Sequence, residues 1–342
     1  MHTTFASDNF SGVLPEVMEA LQQANTGHQP SYGEDKYTKQ ATKLFMQHFG
    51  DNIQVCFFTT GTAANIFSLK ILLTRPYESV IVPSTAHTFG DEVGAPQSVL
   101  GAQLLPITTA DGKLRVDDLQ KEYDARLELD YHSTVPKVVS IAQSTEYGTL
   151  YSLQEIKAIA GWCHGHDMYL HMDGCRLPNA LVALDAELSE VREAGVDVLC
   201  FGGAKNGLMN AEAVVIFNAP KQSLPRAQKQ ILQLSSKMRY VSAQFIPYLT
   251  DDLWRKSAEH ANSLAAQLAD KLSTLKGVTL TQELQTNQVF VSMPRAMIDA
   301  LHAAGHRFYD WDLTKNEVRF VAAWDNTPED IEQLLHDAQS LS

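Results

Sequence analysis

Over the first two thirds of the chain, short apolar runs rich in β-branched residues alternate with stretches of helical periodicity. Candidate strands are Val55–Thr59, Ser79–Val82, Gln103–Ile107, Lys137–Ala142, Met168–Met172, Val198–Phe201 and Ala213–Phe217. Several are continuously apolar rather than alternating, the pattern of a mainly parallel sheet covered on both faces. Helical stretches at Gly61–Leu73, Val116–Tyr123 and Leu153–His164 lie between them, and Ser152 followed by Glu155 predicts a capping box at the start of the last. The pattern implies a doubly wound α/β domain whose ligands bind beyond the carboxyl ends of the strands. The 342 residues suffice for that domain and a smaller one. Near Pro220 the texture changes, which divides the chain into a large α/β domain over 1–220 and a second part over 221–342. The second part reads as a long helical stretch, Ser223–Leu275, broken around Pro247, then a small α+β domain with strands at Val278–Thr281, Gln288–Ser292 and Glu317–Val321.

Charge and cysteine content narrow the function. A net charge of −13 repels phosphate backbones and anionic lipid, so neither nucleic acid nor a membrane is an expected partner. No apolar run approaches the roughly 20 residues that span a bilayer. Residues 1–10 lack the basic-then-apolar pattern of a signal peptide. Cys56, Cys163, Cys175 and Cys200 show no CxxC pairing and read as buried, reduced thiols of a cytoplasmic protein.

Three strand ends break their apolar runs with unusual residues. In Phe57-Phe58-Thr59-Thr60-Gly61-Thr62-Ala63-Ala64-Asn65 a strand turns into a helix. Exposed amides and hydroxyls there suit an anion such as phosphate, or form a capped structural turn. In Tyr169-Leu170-His171-Met172-Asp173-Gly174-Cys175-Arg176, an Asp ends an apolar strand. Such a carboxylate caps a helix, binds a metal or pairs with a cationic ring nitrogen. The nearby His164, His166 and His171 do not make a ligand set, so no metal is expected. In Val198-Leu199-Cys200-Phe201-Gly202-Gly203-Ala204-Lys205-Asn206-Gly207, a lysine follows a strand and a Gly-Gly pair. A lysine drawn into a dry pocket has a lowered pKa and can form a Schiff base. A phosphate cradle, an acid for a pyridinium nitrogen and an imine-forming lysine are together the handles of pyridoxal phosphate.

At this point the sequence resembles the low-specificity L-threonine aldolases, of the β-eliminating lyase group with the aspartate-aminotransferase-like fold (pyridoxal-phosphate fold type I). The resemblance runs through Ala6-Ser7-Asp8-Asn9, Tyr32-Gly33-Glu34-Asp35, Thr60 to Asn65 and Ala86-His87 with Glu92 downstream. It continues through Leu170 to Ala180, Phe201 to Gly207 and Val318-Arg319-Phe320. It implies that Lys205 bonds covalently to the cofactor, that Asp173 pairs with the ring nitrogen, and that His87 stacks on the ring. Gly61 and Thr62 would hold the phosphate, with Arg239 reaching it from a neighbouring subunit and Tyr32 contributing across the same boundary to the substrate side. Ser7, Arg176 and Arg319 would grip the substrate carboxylate, which a planar guanidinium fork suits. Where many members carry a histidine, this chain has Glu146, a candidate base beside His87. Ala204 stands before the lysine in place of a frequent hydroxyl residue, and Cys175 replaces a common alanine. The implied reaction is retro-aldol cleavage of L-threonine, L-allo-threonine or a related β-hydroxy-α-amino acid to glycine and an aldehyde, by a cytoplasmic homotetramer. The alternatives are another β-eliminating lyase or a racemase on the same scaffold, or a non-catalytic pyridoxal-phosphate binder.

Overall fold

A computed structural model describes residues 4–339. Seven strands form the larger sheet: β1 (Gln54–Phe58), β2 (Glu78–Pro83), β3 (Gln103–Ile107), β4 (Val135–Ala142), β5 (Tyr169–Gly174), β6 (Val198–Gly202) and β7 (Glu212–Ile216). Their order is β1-β7-β6-β5-β4-β2-β3. Strands β3, β2, β4, β5 and β6 run parallel, and β7 runs antiparallel to both β6 and β1. The mainly parallel sheet is therefore as the apolar runs imply, and all residues of β2, β6 and β7 are buried. Ser152 and Glu155 form the expected capping box on the Leu153–Gly165 helix.

Two clusters of apolar side chains lie on opposite faces of this sheet. One is aromatic: Phe45 packs at 5.2–5.9 Å, centre to centre, on Phe49, Phe57, Phe201 and Phe245. The other is built on the Gly61–Leu72 helix, which is buried almost throughout because it lies between the sheet and its neighbours.

The smaller sheet is antiparallel, in the order β10-β11-β9-β8, from β8 (Thr279–Leu280), β9 (Gln288–Ser292), β10 (Tyr309–Asp312) and β11 (Glu317–Val321). Strand β10 has no counterpart in the sequence reading, because Tyr-Asp-Trp-Asp alternates with charge and has no apolar run. The expected long helix over Ser223–Leu275 is instead four: Leu224–Gln230, Arg239–Ser242, Phe245–Tyr248 and Leu253–Leu272. Leu232, Asp251 and Asp252 take positive φ values of 65°, 52° and 56°, which a helix does not accommodate. The stretch is therefore broken shortly after Pro247, near the expected place, and also before it, around Leu232 and between Ser242 and Phe245.

The N-terminal segment joins the second part of the chain. Phe5 packs into the core of the smaller sheet, its N–H donates to the Arg307 carbonyl at 3.0 Å, and its carbonyl accepts from the Val321 N–H at 2.8 Å. This tether carries Ser7 and Asp8 to the carboxyl edge of the larger sheet. Among the described residues no helix is long and apolar enough to cross a membrane.

Candidate active site

A cavity of about 350 Å³ opens at the carboxyl ends of β2, β4 and β5 and beside the turn after β6. Ser7, His87, Glu146, Asp173, Arg176, Lys205 and Arg319 all line it. Seven of the eleven residues singled out in the sequence thus converge from six separate segments.

Strand β5 ends in Asp173. Its Oδ2 accepts from Asn65 Nδ2 at 2.9 Å and its Oδ1 from the Cys175 N–H at 3.1 Å. Burial pushes this carboxyl up, but Asn65, Lys205, His87 and His171 together outweigh burial and hold it below its ordinary value. It is thus a buried anion on the cavity wall. The same Asn65 amide reaches Glu92 Oε1 at 3.1 Å, and that oxygen also accepts from His87 Nδ1 at 3.0 Å. The Glu92 hydrogen bond raises the His87 pKa, and it leaves Nε2 as the ring nitrogen free of this contact.

The turn that presents Lys205 depends on two glycines. A Cβ on Gly202 would lie 2.5 Å from Cys175 Cα, and one on Gly203 would lie 2.2 Å from the Ala211 carbonyl oxygen. Backbone meets backbone there, so no side chain fits. Beneath the turn, Glu212 Oε2 accepts from the Gly203 N–H at 2.9 Å, and burial pushes its carboxyl up to about 7. Sequence reading missed Glu212, although an acid opening the run Ala213-Val214-Val215-Ile216 is itself a signal.

The two guanidinium groups differ. Arg176 is buried and spends its fork on Asp8, Nε to Oδ2 at 2.7 Å and Nη2 to Oδ1 at 2.9 Å. Burial opposes the charge on each partner, but the pair raises the Arg176 pKa and lowers that of Asp8. Arg319 has no such partner among the described residues: its Nε is buried without a hydrogen bond, and burial and the nearby Arg176 lower its pKa to about 10. Asp8 was quoted in the sequence only as part of a motif; its place opposite Arg176 becomes visible only in three dimensions.

Glu146 sits in the turn after β4. Its Oε1 accepts from the His87 backbone N–H at 2.8 Å, and its Oε2 is buried with no partner among the described residues. Burial pushes its carboxyl up to about 7.

The other candidates lie elsewhere. Thr60 caps the Gly61–Leu72 helix by accepting from the Ala63 N–H at 3.2 Å. The N–H groups of Gly61 and Thr62 have no acceptor among the described residues, and the space before Gly61 is open. Tyr32 lines a separate groove with Val55–Phe57, under the Lys229 ammonium at 4.5 Å. Arg239 donates to the Gly27 carbonyl at 3.0 Å and lies over the Tyr240 ring at 5.0 Å. Neither reaches the cavity within one chain. His171 is buried between Ser140 at 2.8 Å and Cys200 at 3.3 Å, while His164 pairs with Asp197 at 3.0 Å. All four cysteines are unpaired, and Cys175 is half-buried on the cavity wall rather than in the core.

A model of the β-eliminating lyase family matches residues 4–296. The chain belongs to the β-eliminating lyase family. It is 40% identical to a low specificity L-threonine aldolase of Pseudomonas aeruginosa, over 97% of this chain and 96% of that one. It is 38% identical to a second such aldolase from a Pseudomonas species, over 98% and 97%. A solved threonine aldolase of Leishmania major superposes with a TM-score of 0.93 at 28% identity, covering 99% of both chains. The resemblance to low-specificity L-threonine aldolases and the fold type I architecture therefore hold over nearly the whole chain. The β-eliminating lyases depend on pyridoxal phosphate. The residues present fit that cofactor: a buried anion, a lysine on the same wall and free helix-terminal amides are the groups its ring nitrogen, aldehyde and phosphate require.

Proposed function

We propose that this chain is an aldolase that cleaves L-threonine, L-allo-threonine or a related β-hydroxy-α-amino acid such as phenylserine to glycine and an aldehyde. Bound pyridoxal phosphate supplies the electron sink for a bond broken at the amino acid's Cα. In this reading Lys205 holds the cofactor covalently, Asp173 keeps its ring nitrogen protonated, His87 stacks on its ring, and Gly61 and Thr62 bind its phosphate. Arg319 and Ser7 hold the substrate carboxylate and so set which bond at Cα lies along the π system. Arg176, paired with Asp8, shapes that corner.

The observation that carries the reading is Glu146 Oε2, buried, unpartnered and on the wall shared with Lys205 and Arg319. Retro-aldol cleavage needs a base for the β-hydroxyl proton, and a carboxyl at about 7 is matched to taking that proton near neutral pH. His87 donates its backbone N–H to Oε1 and so fixes the orientation of this base. The test is an assay of the purified, cofactor-loaded enzyme on L-threonine, L-allo-threonine and L-phenylserine. Glycine with the matching aldehyde is expected; 2-oxobutyrate and ammonia from threonine would overturn the reading.

A homotetramer with sites near subunit boundaries belongs to the same proposal. Its support is that Arg239 and Tyr32 lie outside the cavity of their own chain. A fully active monomer in light scattering would refute it. A cytoplasmic location is supported by four unpaired cysteines, and a native disulfide found in cell-isolated protein would contradict it.

A further inference from the structure

Arg319 is a largely buried cation, and what holds it is aromatic rather than anionic. Its guanidinium carbon lies 5.0 Å from the centre of the Tyr309 ring and 4.9 Å from that of Trp311. Tyr309 faces Arg319 directly across the β10–β11 pairing, and Trp311 follows two residues on. Asp310, between the two rings, pairs instead with Arg295 at 3.6 Å. Trp311 is braced in turn, edge-on, by Phe290 at 5.2 Å and by Tyr147 at 5.9 Å. Tyr147 is the neighbour of Glu146 in the turn after β4.

We propose that Trp311, with Tyr309, is a positioning residue that presents Arg319 to the substrate carboxylate and ties it to the turn carrying Glu146. Ring faces attract the cation through their quadrupole and use none of its N–H donors, so the planar fork keeps its capacity for two carboxylate oxygens. Arg176, in the same cavity, shows the contrast. Its support is a carboxylate, and that carboxylate occupies its Nε and Nη2 donors. An acid beside Arg319 would do the same and would compete with substrate. Bracing Trp311 on Tyr147 also makes the carboxylate grip and the proposed base share one packed contact between the two sheets.

This inference rests on the assignment of Arg319 to the carboxylate, and the experiment separates the two. Binding of glycine, and of methylamine as glycine without its carboxylate, is measured by calorimetry on the cofactor-loaded enzyme and its variants. Trp311→Leu is expected to weaken glycine about tenfold and leave methylamine within about twofold, as loss of a desolvated cation–π contact would. Trp311→Phe keeps a ring face and recovers most of the glycine affinity. In an Arg319→Leu background, Trp311→Leu adds no further loss. If Arg319→Leu weakens glycine but Trp311→Leu does not, or weakens both ligands alike, the positioning role is overturned. If Arg319→Leu itself leaves glycine binding unchanged, the carboxylate assignment fails and the inference falls with it.

Discussion

Glu146 has its carboxyl pushed up to about 7 by burial, so near neutral pH both its forms are populated. Acting as a base it must be ionised, and kcat should rise with pH through about 7. Glu146→Gln is expected to lower kcat by roughly 10²–10⁴ and to remove that limb of the pH profile, read in a steady-state series from pH 5 to 9. The same shift has an opposite consequence for the fold. The folded state holds this proton from the ordinary 4.5 up to about 7, so stability declines as pH rises across that window. Melting temperatures should therefore show Glu146→Gln gaining on the parent between pH 5 and pH 8, by the equivalent of roughly 1–3 kcal/mol. Asp8 runs the other way. Its carboxyl is held low by Arg176, so the pair's contribution is complete above about 4 and is lost only in stronger acid. Asp8→Asn leaves Arg176 buried without its anion and should cost roughly 3–5 kcal/mol in urea unfolding at pH 7. An unchanged midpoint would remove this pair from the fold's support.

At the scale of elements, the larger sheet was legible because its strands are buried on both faces, and continuous apolar runs such as Val198–Phe201 have no polar face to blur them. The smaller sheet was legible only in part: β8, β9 and β11 read as strands, whereas β10 presents alternating aromatic and acidic residues. Its rings serve Arg319 rather than the core, which is why periodicity did not reveal them. Residues at strand ends, Asp173 and Lys205, announced themselves by interrupting apolar runs. Asn65, which holds Asp173, Asp8, which holds Arg176, and Glu212, which holds the lysine turn, come from other segments, and local pattern does not say which residue each of them meets. The turn after β6 gives the prediction that belongs here. Gly203→Ala would drive a methyl to 2.2 Å from the Ala211 carbonyl oxygen, and either β7 or the lysine turn must move. The expected result is a folded protein, by circular dichroism, in which borohydride no longer fixes the cofactor. A normal yield of fixed cofactor would show that the turn relaxes without displacing Lys205.

At the scale of the whole molecule, a protein of net charge −13 binds a doubly anionic cofactor and an amino-acid carboxylate, so local cations must overcome the general field. Within one chain the cavity is lined by Lys205, Arg319 and the Asp8-paired Arg176, and Gly61 and Thr62 lie outside that lining. The amides of Gly61 and Thr62 have no acceptor among the described residues, and Arg239 lies outside the cavity, donating to the Gly27 carbonyl and the adjacent Tyr240 hydroxyl. A second copy that brings Arg239 to the phosphate would complete the site, and complementation tests this directly. Lys205→Ala and Arg239→Ala are each expected to be nearly inactive at low cofactor concentration. If Arg239 serves the neighbouring site, a mixed pair holds one site with both defects and one with neither. Random co-assembly of equal amounts then restores about a quarter of the parental activity, since half the pairs are mixed and half their sites are intact. If Arg239 serves its own chain, every site in the mixture carries one defect and activity stays at the level of the separate variants. Co-expression with distinguishable tags, followed by isolation of the doubly tagged species, distinguishes the two outcomes, because in the first case that species alone carries the activity.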